Sequence, residues 1–200
     1  EPKEDGSRIT NNLVRRIKAN DGGTGENGNG ISVFRAGNVM IANNRISDCE
    51  YSGIRNNSGR NCQILGNNVS RCAEVSIYSE FAFDGCVISN NIVADSVFGI
   101  SITNFDVEGR LAVCANNIVR NITGGPKPEG ARAGLGIHAE ADTLITGNVI
   151  ENAKDIGISM GYGSKTRNVT AQGNLIRNCG RGIIASIVDG AGPHYVMNNV

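Results

Sequence analysis

Apolar side chains recur along this chain in short alternating runs, and nowhere with the three-to-four spacing of an amphipathic helix. One set of runs opens at Gly30-Ile31, Gly53-Ile54, Ser76-Ile77, Gly99-Ile100, Gly136-Ile137, Gly157-Ile158 and Gly182-Ile183. A second set carries the apolar pairs Val39/Ile41, Cys62/Ile64, Cys86/Ile88, Ala112/Cys114, Thr143/Ile145 and Val169/Ala171. Each of these leads to an anchor asparagine followed by two mostly apolar residues, as in Asn44-Arg45-Ile46 and Asn91-Ile92-Val93. The anchors are Asn12, Asn44, Asn67, Asn91, Asn117, Asn148, Asn174 and Asn199, spaced by 32, 23, 24, 26, 31, 26 and 25 residues.

Three period-2 segments per repeat of about 25 residues, separated by Gly, Asn and Ser, predict three short strands per turn of a solenoid. The fold expected is therefore all-β: a right-handed parallel β-helix of about seven coils with an asparagine ladder at one corner. A leucine-rich-repeat solenoid has a similar period, but its leucine lattice is missing. Asn suits a sharp corner because it tolerates left-handed backbone and its amide bonds both neighbours and local main chain. The 26 asparagines and 27 glycines fit such a turn-rich coil. Residues 1–200 read as one domain, expected to be a fragment of a longer chain, since the repeat is interrupted at Asn199-Val200 and no amphipathic cap precedes Ser7.

Charge removes several functions. With 19 basic and 19 acidic residues the chain lacks the basic excess of a nucleic-acid binder, and no apolar run approaches the ~18 residues of a membrane span. Only two histidines are present, which excludes a multi-histidine zinc site; no metal or cofactor is expected. Residues 23–28 match a dinucleotide glycine pattern, yet no strand leads in and no helix follows, so they read as a loop. Cys49 and Cys72 share one repeat position in adjacent coils, and Cys62 and Cys86 share another. Stacking at ~4.8 Å is compatible with disulfides or with small buried core residues.

Two insertions mark where a site would lie. From anchor to Gly-Ile strand the gap is 8 or 9 residues, but 18 after Asn12 and 19 after Asn117, which places extra loops at 18–29 and 124–134 on the same corner. Outward positions of the intervening strands hold Arg55, Asn57, Tyr78, Glu80, Thr103, His138 and Glu140. Glu80 and Glu140 fall two coils apart, about 9–10 Å, the upper end of the spacing for an acid–base carboxylate pair in an inverting glycosidase. They are the candidate catalytic residues, with Asp106 and Glu108 beside them. Arg55, Asn57, Tyr78, Thr103, His138 and Tyr162 are the candidate substrate-binding residues. Without tryptophan, a sugar-binding face would be a polar groove using Tyr78 and Tyr162.

The stretches at 29–33, 77–81, 99–105 and 138–142 resemble the twin-arginine-translocated repeat proteins of bacteria, within the pectate-lyase-like β-helix superfamily. The resemblance runs over essentially all 200 residues. It implies export to the periplasm or beyond, with the signal removed, and supplies no catalytic residues. Arg15-Arg16 is not that signal, because no apolar stretch follows it. Three functions stay open: an exported polysaccharide-interacting β-helix, a polysaccharide-degrading or modifying enzyme using Glu80 and Glu140, and a structural rod of the cell envelope. Oligomeric state is not legible.

Overall fold

A computed structural model describes residues 3–4, 6–22, 25–105, 108–127 and 130–200. They contain no helix and wind as a parallel β-helix with three sheets. The first sheet carries the strands that lead to each anchor asparagine, among them Arg60–Leu65, Asp84–Ser89, Arg110–Ala115 and Ala141–Thr146. The second carries the strands that follow it, such as Asn68–Cys72 and Ile118–Ile122. The third carries the Gly-Ile strands Ile31–Phe34, Ile54–Asn57, Val75–Glu80, Phe98–Ile102, Leu135–Ala139, Ile156–Met160 and Ile183–Ala185. The second and third sheets each stack seven strands, which makes six coil-to-coil steps.

Registry is strict because one inward position per strand repeats. Ile31, Ile54, Ile77, Ile100, Ile137 and Ile158 form a continuous column, and Ile46, Val69, Val93, Val119 and Ile150 form another. These side chains are buried, and β-branched residues fill a pleated interior well. Each such burial is worth about 1.5–3 kcal/mol, so a one-residue slip, which would expose a whole column, is strongly disfavoured. The glycine that opens the third sheet is set by close approach. A Cβ on Gly99 would stand 2.1 Å from the Gly136 carbonyl oxygen of the next coil.

The corner works differently from the sequence expectation, which gave both tasks to the anchor asparagine. Left-handed backbone belongs to the residue before it: Asn43, Asn90 and Asn116 have φ near +58°, and Gly66, Gly147 and Gly173 near +64°. The anchor itself is buried and carries the ladder. The Asn91 side-chain oxygen accepts from both the backbone N–H and the side-chain amide of Asn67, at 2.9 and 3.0 Å. Its amide donates to the Ile64 carbonyl and the Asn117 side-chain oxygen, each at 3.0 Å. Two residues thus share what one seemed to do, strain in the first and hydrogen bonding in the second.

The cysteine stacks form as the repeat positions required: Cys49 pairs in register with Cys72, and Cys62 with Cys86. All six cysteines are thiols in the structure, five of them buried. Burial pushes the Cys86 thiol up to about 12 and Cys114 higher still.

Candidate functional site

The outward face of the third sheet, which the sequence places between two loops, is largely covered. Both insertions fold back over it. Residues 18–29 are pinned at their start by Glu50, which accepts from the Ala19 N–H at 2.7 Å and from Lys18 Nζ at 2.9 Å. These two donors hold the Glu50 carboxyl below its usual value. At the loop's far end Gly28 O accepts from Tyr51 N, and Asn29 Oδ1 from Ser52 N. Gly25 caps the Arg55 guanidinium with its carbonyl, and its φ of +114° is a conformation that favours glycine. The second insertion is an antiparallel pair, Gly125–Lys127 with Gly130–Arg132. Its Arg132 donates to Glu74 Oε1 at 2.8 Å.

Two guanidiniums meet over Tyr78, one from the third sheet and one from the second insertion. The Arg55 guanidinium lies 5.6 Å from its ring centroid and that of Arg132 6.0 Å. Tyr78 is therefore buried, and burial together with nearby Glu80 raises its phenol well above the usual range. It cannot present a flat face to a sugar.

The candidate acids are equally enclosed. Glu80 is 1 % exposed and accepts from Arg55 Nε at 2.5 Å and Asn57 Nδ2 at 3.0 Å, both on Oε1. Glu140 Oε2 accepts from the backbone N–H groups of Asn104 and Phe105 at 2.8 and 3.3 Å, and its Oε1 faces His138 Nε2 at 3.2 Å. His138 Nδ1 in turn meets Ser159 Oγ at 3.1 Å. Register puts Glu80, Thr103 and Glu140 in line on successive coils, so the carboxylates are two steps apart, ~9.6 Å. The expected spacing is present, but each carboxylate is occupied by fixed donors. Buried Thr103 lies between them beside the Tyr78 phenol. Asp106 lies outside the described residues, whereas Glu108 sits across the neighbouring corner near Arg60 and Arg110. Tyr162 is 77 % exposed on the loop after Ile156–Met160, one coil past Glu140 and away from Arg55 and Asn57. Among the described residues no cluster of three or more His, Cys, Asp or Glu could hold a metal ion.

What stays open is a cleft of about 520 Å³ over the first three coils. Ser32, Arg55 and Asn57 make its floor, and Gly25 and Glu26 its wall. Phe34 and Phe81 form the opposite rim. Sequence reasoning missed this rim. Phe34 is 65 % exposed, with the Arg35 guanidinium 5.1 Å from its ring centroid. Phe81 packs on Phe105 with centroids 5.0 Å apart, and both remain over a third exposed. Phe81 and Phe105 have φ of +58° and +46°, a conformation that costs an L-residue about 1–2 kcal/mol and that this fold elsewhere gives mostly to Asn, Asp or Gly. Two bulky aromatics held at strained corners with their rings in solvent gain little for the core, and strain of this kind concentrates at functional sites. The available signal was Phe81's place at the corner aligned with Arg35 and Ser58, both also left-handed.

Three parallel sheets, in-register columns and an asparagine ladder define the protein as a right-handed parallel β-helix. The chain belongs to the right-handed β-helix region family, whose model matches residues 3–121. Among solved structures it is similar to DFA-IIIase from Arthrobacter chlorophenolicus A6 in complex with GF2, at 17% identity over 84% of this chain and 44% of that one, with a TM-score of 0.60. It also matches the same enzyme without its lid, at 14% identity over 86% of this chain and 49% of that one (TM-score 0.48). A third match is the Agl-KA catalytic domain, at 13% identity over 100% and 48% (TM-score 0.43). The chain thus spans less than half the length of each. No curated protein matches it.

Proposed function

We propose that this chain is the carbohydrate-binding body of an exported β-helix protein, and that the ligand sits in the cleft between loop 18–29 and the Phe34–Phe81 rim. The observation that carries the reading is the rim itself: exposed rings of Phe34 and Phe81, the latter in strained left-handed backbone, beside a floor of Arg55, Asn57 and Ser32. Sugars offer apolar C–H faces and a ring of hydroxyls, so a flat ring with hydrogen-bonding groups beside it is the matching surface. The resemblance to twin-arginine-translocated repeat proteins is what supports export in this reading. The likeness to DFA-IIIase, a carbohydrate-active enzyme, lends coarse support through the fold.

Catalysis by Glu80 and Glu140 is the second reading, favoured by their two-coil spacing. The fixed donors on Glu80 Oε1 and Glu140 Oε2 favour binding over cleavage, since an acid–base pair needs one carboxylate facing a water. One panel tests both. Neutral and acidic bacterial and plant glycans are presented to the protein, with retention and newly formed ends as readouts. Retention lost in Phe34→Ala and Phe81→Ala supports the cleft. New ends lost in Glu80→Gln or Glu140→Gln would make the protein an enzyme, and no retention of any glycan would leave the envelope rod.

A further inference from the structure

The cleft has a direction. Its floor follows one outward column of the third sheet, Ser32 then Arg55, and the next residue in that register is Tyr78. At that point the floor rises into a plug. The Tyr78 ring lies between the Arg55 and Arg132 guanidiniums, and Phe105 packs beside it at 6.4 Å between centroids. Arg132 is fixed there by Glu74, and Glu74 accepts from the Ser52 hydroxyl at 2.8 Å, so the Arg132 side of the plug is held in place. The cleft is walled laterally by Gly25 on one side and Phe81 on the other. Its floor ends at the Arg55 coil, short of Tyr78, and its ~520 Å³ lies within the range of about 300–1,000 Å³ that accommodates a small molecule. A continuous polysaccharide lying along the β-helix axis would have to cross Arg132 and Phe105 above the buried Tyr78.

We infer that the site takes a saccharide chain end or a short oligosaccharide, and rejects the interior of a polymer. This rests on the carbohydrate reading above. A terminal ring enters against the plug, Phe34 and Phe81 take its apolar faces, and Arg55 and Asn57 meet its hydroxyls. The rest of the ligand leaves toward solvent. Specificity here is a matter of exclusion by a built wall as well as attraction.

The experiment uses the full chain with fructo- and malto-oligosaccharides of two to six residues, and with inulin and amylose as the matching polymers. Binding is measured by calorimetry, and polymers are quantified by chain ends and by mass. The expected result is an affinity that changes less than threefold beyond three residues, and one protein bound per polymer chain regardless of its length. Arg132→Ala, which removes one brace of the plug, is expected to raise the number bound per chain. Stoichiometry that grows with polymer length in the unaltered protein would overturn the inference while the carbohydrate reading stands. Binding to neither series, in a protein that the wider glycan panel also leaves unbound, overturns both.

Discussion

Replacing Asn91 by Ala removes one amide and four hydrogen bonds: two accepted from Asn67, and two donated to Ile64 O and Asn117 Oδ1. The partners stay buried. Asn67 and Asn117 are each about 1 % exposed or less, so water cannot replace what is lost without opening the corner. A typical hydrogen bond contributes ~1 kcal/mol net, and a buried group left without a partner costs ~1–3 kcal/mol. Four bonds, with the backbone N–H of Asn67 left without its acceptor, give an expected loss of about 4 kcal/mol, a large share of an ordinary ~5–15 kcal/mol stability. The control is adjacent. Asn90 is exposed and left-handed at φ +58°, so Asn90→Ala forfeits only conformational fitness, about 1 kcal/mol, and Asn90→Gly close to none. Urea unfolding followed by circular dichroism, with hydrogen exchange at Asn67 N–H as a local probe, separates the two. Because stacked coils can unfold in parts, the exchange measurement guards against a transition that is not two-state. Equal losses in the two variants, or less than about 1 kcal/mol for Asn91→Ala, would refute the division of labour at the corner.

Further outcomes follow from the same geometry. Gly99→Ala sets a methyl 2.1 Å from the Gly136 carbonyl oxygen and is expected to destabilise by about 1–3 kcal/mol, whereas Gly182→Ala, with nothing within 4 Å, stays within about 0.5 kcal/mol; thermal melts compare them. Glu50 titrates below its ordinary value because the Ala19 N–H and then the Lys18 amine favour the carboxylate. The sign for such a group is that loop docking is complete above the unfolded value of ~4.3 and fades as pH falls through the lower folded value. The Ala19 amide resonance should report that midpoint, and a midpoint at or above the ordinary value would contradict the contact. Of the six thiols, only Cys179 is less than fully buried, so native protein is expected to react rapidly with an alkylating reagent at that residue alone and at all six after denaturation. Mass spectrometry showing a linked Cys49–Cys72 or Cys62–Cys86 peptide would contradict the thiol assignment.

Much of the fold was legible because a stacked coil repeats its constraints. Ile54, Ile77 and Ile100 occupy one column, and the glycine before most of them is forced by a carbonyl in the next coil, so periodicity alone finds both. Asn90 and Asn91 were legible as a motif but not as two jobs, because backbone sign and amide partners leave the same letter in the sequence. The site was harder for a physical reason: it is made by what does not repeat. Loop 18–29 and Arg132 fold back onto the face, and no period foretells where they land. Hence Tyr78 and Glu80, which alternate as outward residues should, are buried beneath a second layer. Phe81 and Phe105 went unread because an aromatic at a left-handed corner violates the local rule, and such violations are where function tends to sit.

The most direct test of carbohydrate recognition in the cleft is a two-dimensional NMR titration of the full chain with the glycan retained most strongly on the panel. The account expects shift changes concentrated at Ser32, Phe34, Asn57 and Phe81, and at least a tenfold weaker affinity in Phe34→Ala with an unchanged melting profile. Shifts confined to Tyr162 or to the outer faces of the other two sheets, with Phe34→Ala binding as tightly as the unaltered protein, would contradict it.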